Sequence, residues 1–457
     1  MSGLVRSRAR SLALTAVFAA VLPTLQPLVA SRSAAAAGTG GRPNVLVIVT
    51  DDQRASRDSY KVMPALKNRV RDRGIWFRNA IATHPLCCPS RVSIFTGQYA
   101  HNHGTIQNGG AGWTANEQKR SIQYTLGQAG YRTAVIGKFI NAWHTDPPYF
   151  DRWAIMRKYG YERSTFDIQG RLVDVDRYST SFMADKAVDY MERFERRDTK
   201  PWLMFVEPWA PHKPSTPAKK YATAKVPAFK PNPATEEANR RDKPAYVQKK
   251  QANKEKTLNL RGNMLRTLYS VNDMVKQLMR KLRRLDERNT VVFYLSDNGF
   301  QWYEHKLEAK RYPYEASVRI PMFVRWPGHL ASGERRYNIV GNIDVAPTIY
   351  DLTGIKPAYT VDGRSMMTSD RRNLLIEYWH ERHEGSPPTY KALWNPKWTY
   401  VEYQDVPSKD RLEYYGPDDP WQLHNLFGNS KKGDEPSNRR RLARRLDRLA
   451  DCAGDSC

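Results

Sequence analysis

The stretch Val45 to Thr50 (VLVIVT) is the strongest constraint on the fold, a continuous apolar and β-branched run with no polar face. Such a run is expected of a strand buried on both sides of a sheet. Comparable runs recur at Thr133 to Ile136, Trp202 to Val206, Val291 to Leu295 and Pro321 to Val324. Between them, Leu268, Val271, Val275, Leu278, Leu282 and Leu285 fall at intervals of three and four, with Lys276, Lys281 and Arg284 on other faces. That is the spacing of an amphipathic helix. Buried strands alternating with such helices predict an α/β fold, a large, mostly parallel sheet sandwiched by helices. Ligands in these folds gather at the carboxyl ends of the strands.

Two of those strand ends are acidic. Thr50-Asp51-Asp52-Gln53 closes the first run, and Ser296-Asp297-Asn298-Gly299 closes a later one. Adjacent carboxylates at one strand end repel each other unless a cation sits between them. Three Asp and one Asn, without a His or Cys ligand cluster, describe a hard oxygen site suited to calcium or magnesium. Either pair alone also suits a helix cap or a turn. Their occurrence together, each after a strand, favours the metal.

Arg6, Arg8 and Arg10 precede an apolar run from Leu12 to Leu22, which Pro23 breaks and small residues follow through Ala37. This is the layout of a secretory signal peptide, expected to cover residues 1–37. No later segment approaches eighteen continuous apolar residues, and no cysteine marks a lipid site near the cleavage region, so no membrane anchor is expected. Secretion permits disulfides. Cys452 and Cys457, in the terminal CAGDSC, are placed to close a small loop. Cys87 and Cys88 are left over, and an unpaired thiol in an exported protein points to catalysis or modification. Lys+Arg 73 against Asp+Glu 47 gives a net charge of +26, which disposes the surface toward polyanions. Between Lys213 and Arg261 there are 13 basic residues against 4 acidic ones.

The segment Thr83 to Gly104 carries a more specific signal. Cys87, Pro89, Ser90 and Arg91, followed by Thr96 and Gly97, resemble the signature of the type I (formylglycine-dependent) sulfatases of the alkaline phosphatase superfamily. The resemblance continues through TDDQ at Thr50, Gly137-Lys138, APH at Ala210, SDNG at Ser296 and the spacing from His305 to Lys310. RIPMFVRWPG, DVAPTIYDLTGI and VDGRSM extend it, so that it spans Asn44 to Leu426. DKPAYV at Asp242, VNDMV at Val271, GKFIN at Gly137 and the terminal CAGDSC are similar to the branch containing N-acetylglucosamine-6-sulfatases, which desulfate heparan and keratan sulfate sugars.

The resemblance implies a catalytic α/β domain over residues 38–368 and a smaller C-terminal α+β subdomain with a basic tail over 369–457. It implies that a formylglycine-generating enzyme converts Cys87, the residue two before Pro89 and four before Arg91. Cys88 is then a small buried thiol. Hydrated formylglycine is a geminal diol, a nucleophile that a neighbouring metal activates. By the same resemblance Asp51, Asp52, Cys87, Asp297 and Asn298 hold one calcium ion. Arg91 and Lys138 orient the diol, while Lys310 and His212 meet the sulfate and the leaving oxygen, one of them as general acid. The expected partner is a sulfated sugar or glycosaminoglycan, with no nucleic acid.

One departure stands out. Many sulfatases carry Lys-x-His at a strand end, where this chain reads Lys138-Phe139-Ile140-Asn141, leaving Asn141, His144 or His84 as substitutes. Two other readings stay open: a phosphonate or phosphate monoester hydrolase of the same superfamily, and a polyanion-binding protein with an unused site.

Overall fold

In the computed structural model the run at Val45–Thr50 lies in the middle of the main sheet, every residue of its strand buried. The structure describes residue 3 and residues 41–109, 112–196, 199–382, 385–428 and 435–457. Apart from residue 3, the expected signal peptide and cleavage region lie outside the described residues.

In chain order the strands are β1 (Asn44–Thr50), β2 (Ile75–Ile81), β3 (Arg132–Gly137), β4 (Arg152–Lys158), β5 (Ser164–Ile168) and β6 (Arg171–Val175). There follow β7 (Trp202–Glu207), β8 (Thr290–Ser296), β9 (Gln301–Trp302), β10 (Glu308–Ala309), β11 (Met322–Arg325) and β12 (Glu334–Gly341). All but β9 and β10 form one ten-stranded sheet in the order β12-β2-β11-β8-β1-β7-β3-β4-β5-β6. The central five, β8-β1-β7-β3-β4, are mutually parallel. β11 runs antiparallel to both neighbours, and β5 antiparallel to β4 and β6. The expected mostly parallel α/β sheet is the one observed.

Alternation along β1 divides the core. Leu46 and Ile48 pack with the helices Ser179–Glu195 and Lys254–Arg284. Val45, Val47 and Val49 pack on the other face with the helices Cys87–Thr96 and Val345–Thr353. The 31-residue helix buries Leu268, Val271, Val275, Leu278 and Leu282, as its spacing predicts, and exposes Lys276 and Arg284. Each such apolar side chain, fully buried, contributes roughly 1.5–3 kcal/mol.

A second, antiparallel sheet follows: β13 (Leu374–Tyr378), β14 (Tyr390–Asn395), β15 (Trp398–Tyr403) and β16 (Leu412–Tyr415), in that order. The helix Arg439–Ala450 lays Leu442, Leu446 and Leu449 on its core and keeps most of its arginines outside. Cys452 and Cys457 are joined, Cα atoms 5.2 Å apart. Among the described residues no helix is long and apolar enough to cross a membrane.

His101 ties the C-terminal segment down. Its Nδ1 lies 2.7 Å from Glu377 Oε1 and its Nε2 lies 2.9 Å from the carbonyl of Cys452. Both partners accept, so both ring nitrogens donate only when the imidazole is protonated. Burial alone would lower its pKa, but the hydrogen bond and charge of Glu377 outweigh it and raise the value. A raised folded pKa gives stability that is complete below the unfolded value of about 6.5 and is lost as pH rises through the folded value. His101→Gln should therefore cost about 1.5 kcal/mol at pH 5.5 and clearly less at pH 8.5 in urea denaturation. An equal cost at both pH values would contradict this.

Candidate active site

Register brings the acidic pairs together. β1 lies between β8 and β7, with Thr50 beside Ser296, so Asp51 and Asp52 leave the sheet next to Asp297 and Asn298. The Asp297 backbone N–H donates to the carbonyl of Thr50 at 3.0 Å. On the other side, Gly137 at the end of β3 pairs with Glu207 at the end of β7, and Lys138 follows. Gly137 has a φ of 107°, and a Cβ there would lie 2.2 Å from the Glu207 carbonyl oxygen. Only glycine permits that approach. Asp52 adopts a φ of 69°, and its N–H donates to Asp297 Oδ1 at 3.1 Å.

The helix Cys87–Thr96 points its N-terminus at these strand ends, with Cys87 as its first residue. Arg91, one turn on, is fully buried. Its Nε donates to Asp297 Oδ2 at 3.0 Å and its Nη1 to the carbonyl of Lys138 at 2.8 Å. Glu207 lies 3.6 Å and Asp51 3.8 Å from the same guanidinium. Lys138 Nζ donates to Asp51 Oδ2. The short ribbon β9–β10 returns the chain so that Lys310 Nζ donates to Asp52 Oδ1 and lies 2.7 Å from Cys87 Sγ. Cys87 Sγ in turn is 3.4 Å from Asp51 Oδ1. His212 stands at the rim, 29% exposed, with Nε2 3.9 Å from Asp52 Oδ2. All nine residues singled out in the sequence thus lie in one cluster.

Charge decides what this cluster can do. Burial raises the Asp51 pKa, but Lys138, His212, Lys310 and Arg91 outweigh it and hold the carboxyl far below its usual range. Asp297 goes the other way, pushed up to about 6 by burial and by Asp51 despite Arg91. The Cys87 thiol is pushed up to about 12 by burial and Asp51, although Lys138 and Lys310 work against this. As a plain cysteine it is protonated at neutral pH and a poor nucleophile. Burial also lowers the His212 pKa, against the pull of Asp51 and Asp52.

The donors fit a hard divalent cation. Asp51, Asp52 and Asp297 offer oxygens within 4.8 Å of one another, and Asn298 Oδ1 is buried with no hydrogen-bond partner among the described residues. An orphaned amide oxygen among carboxylates is a ligand set for calcium or magnesium. Asp51, Cys87 and His212 form a second, overlapping group, but a protonated thiol is a poor ligand for zinc.

Sequence reasoning passed over Glu207. It is buried at the end of β7, and burial, reinforced by Asp297 and Asp51, pushes its pKa up to about 8 despite Arg91. The signal was present, because WLMFVE is an apolar run ending in an acid, the pattern that flags Asp51. Cys88 is buried in the apolar core, its Sγ accepting from the Asn141 backbone N–H at 3.3 Å. Of the candidate substitutes for the missing histidine, His144 is exposed and Asn141 half-buried. His84 is buried beside Trp379, and burial together with His103 pushes its pKa down to about 3. The basic segment from Lys213 to Arg261 is not a free patch. Lys243 pairs with Glu237, Lys254 with Glu236, Lys213 with Glu308 and Arg261 with Asp58.

Residues 43–355 match the family model described as Sulfatase, and residues 303–451 match N-sulphoglucosamine sulphohydrolase, C-terminal. The chain is 31% identical over 350 residues to the extracellular sulfatase SULF-1 homolog of Drosophila melanogaster, covering 71% of this chain but only 31% of that relative. It is 28% identical over 491 residues to human N-acetylglucosamine-6-sulfatase, covering 92% of this chain and 87% of the relative. A solved structure described as in complex with its substrate D-glucosamine-2-N,6-O-disulfate shares the fold at a TM-score of 0.74 and 23% identity, covering 89% of this chain and 97% of that one.

A cation held by the cluster should stabilise the folded state by about 2.7 kcal/mol at a hundred times its Kd. Calcium or magnesium should therefore raise the melting temperature of the wild-type protein, and Asp297→Asn should lose most of the shift. The same shift in both proteins would place the ion elsewhere.

Proposed function

The chain belongs to the sulfatase family, and from that premise we propose that it hydrolyses the sulfate ester of a sulfated carbohydrate. Residue 87 serves as the nucleophile after conversion to formylglycine, and one calcium ion is held by Asp51, Asp52, Asp297, Asn298 and residue 87. The observation that carries this reading is the placement of Cys87. It opens a helix, within reach of Lys310 and beside Asp51, in surroundings that keep a thiol protonated. A site built for thiolate chemistry would lower that pKa.

When present, the hydrated aldehyde supplies a paired-oxygen nucleophile, and the metal supplies positive charge beside it. The chain's own residues do the rest. The helix N-terminus at residue 87 favours negative charge there and on an incoming sulfate. Lys310 and Lys138 flank the same point and offset the charge that develops on the sulfate oxygens. Arg91 fixes Asp297 and Asp51 at their strand ends and, with Lys138, orients the nucleophile at residue 87. His212 stands at the rim with Nε2 facing Asp52, placed, when its imidazole is protonated, to supply the proton that the leaving oxygen takes up.

For the substrate, the similarity to N-acetylglucosamine-6-sulfatase along most of both chains favours a glucosamine-type sugar sulfated at the 6 position. The signal-peptide layout and the extracellular sulfatase relative favour export. All nine clustered residues precede position 368, in keeping with a catalytic domain over 38–368.

Turnover of N-acetylglucosamine-6-sulfate, set against the matched 6-phosphate, tests the proposal. A preference for the phosphate would assign the site to the monoester-hydrolase branch of the superfamily. In the mature protein, the tryptic peptide from Asn79 to Arg91 should carry one oxygen in place of one sulfur and two hydrogens, at residue 87. Cys87→Ala should lose about 10³-fold or more in kcat, whereas Cys88→Ala should keep the modification and most activity. Full activity with an intact thiol at residue 87 would overturn the mechanism.

A further inference from the structure

A cavity of about 610 Å³ lies where the two acidic loops run on past the active cluster, and none of the nine clustered residues lines it. That volume is in the range of small-ligand sites. Arg54 and Arg57, just after Asp51-Asp52, form one wall; Gln301 and Glu304, just after Asp297-Asn298, form another. The lining is strongly cationic. Some of that charge is matched within the protein: Arg54 pairs with Glu304, Arg71 with Asp72 and Arg319 with Glu315. Arg57, Lys61 and Arg78 also line the cavity and have no ion pair among the described residues. Arg78 is held over the Trp76 ring at 4.1 Å, which positions a guanidinium without using its charge on a carboxylate.

Gln301 supplies an independent indication. Its side chain is fully buried and lines the cavity, yet among the described residues neither its amide nitrogen nor its amide oxygen has a hydrogen-bond partner. Buried amides are almost always paired, so an orphaned one facing a cavity marks a place for a ligand. The chemistry narrows the class. Unpaired guanidinium and ammonium groups ask for an oxyanion, and guanidinium matches planar or tetrahedral oxyanions with paired hydrogen bonds. A free sulfate ion has no donor for the Gln301 carbonyl oxygen, whereas a sugar hydroxyl has. Trp421, 41% exposed, adds an apolar face of the kind a sugar ring can lie against.

We propose that this cavity is a second saccharide site, separate from the catalytic cluster, which binds a sulfated sugar unit through Arg57, Arg78 and Gln301. It rests on the proposed function only for the choice of sulfate as the anion. The site binds its sugar independently of the catalytic cluster and takes no part in bond cleavage.

The test uses the full chain in a Cys87→Ala background, so that binding is read without turnover. By calorimetry, a sulfated heparin tetrasaccharide should bind at two sites per chain. Adding Arg57→Ser and Arg78→Ser should remove one of them or weaken it by at least about tenfold. Gln301→Leu, which leaves the charge unchanged, should weaken the same site about fivefold while the melting temperature holds or rises. With Cys87 intact, the double arginine variant should keep its kcat/KM on a small aryl sulfate. Unchanged tetrasaccharide binding in the double variant would overturn the proposal. So would equal affinity for the desulfated tetrasaccharide, or displacement by inorganic sulfate at the same concentration, which would mark a bare anion site. An inactive Cys87 enzyme with this binding intact would reject only the sulfatase reading.

Discussion

Three carboxylates buried at the ends of two adjacent parallel strands set the terms for the rest of this protein. Asp51, Asp52 and Asp297 have oxygens within 4.8 Å of one another and are buried. At such a separation a pair of like charges repels by about 4 kcal/mol even at an effective dielectric of 20. The fold answers with three buried cations drawn from three different places: Arg91 from a helix, Lys138 from the end of β3 and Lys310 from the β9–β10 ribbon. A buried ion network of this kind adds little net stability over an apolar core and is costly to break. Its presence is better explained by what it does to the atoms between the charges.

What it does is most evident at Cys87. Two lysines close to a thiol would ordinarily favour thiolate, yet burial and the neighbouring carboxylates push the pKa up to about 12. The site is therefore unsuited to the thiol that the gene encodes. It suits a neutral oxygen nucleophile, with positive charge close enough to follow the negative charge as it forms. Glu207, pushed up to about 8, fits the same logic. Held protonated, it can sit behind Arg91 without adding a fourth negative charge to the cluster.

The sequence disclosed the site better than it disclosed the sheet. β1, β3, β7, β8 and β11 are short apolar runs, and each is present in the fold within a residue or two of its expected bounds. β4 (RWAIMRK) and β6 (RLVDV) escaped notice because they lie toward one edge of the sheet, where polar residues alternate or intrude and the buried-strand pattern fails. β2 (IWFRNAI) hides for another reason: Trp76, Arg78 and Asn79 are only half-buried, and Arg78 covers the tryptophan. All nine site residues were legible because each sits in a short motif at a strand end or helix start. Glu207 ends an apolar run as Asp51 does but is followed by Pro208 rather than a second oxygen-bearing side chain, and Gln301 reveals itself only through what it fails to touch. Partnerlessness is a property of three-dimensional packing and has no sequence signal.

The net charge of +26 looks different once its distribution is known. In the stretch from Lys213 to Arg261 several cations are consumed internally: Lys243 is buried against Glu237, and Arg240 donates to the carbonyls of Val247, Lys250 and His305. These bonds fasten a loop-rich segment over the sheet, so composition alone overstates how much charge faces a polyanion. Among the cations with no ion pair among the described residues, Arg57 and Lys61, on the helix beginning at Arg57, and Arg78 on β2 converge on a cavity rather than a flat face. Diffuse surface charge attracts any polyanion and fades with salt. Charge that converges on a concave site with an orphaned amide discriminates by shape and by hydrogen bonding, and that selectivity persists where steering is screened.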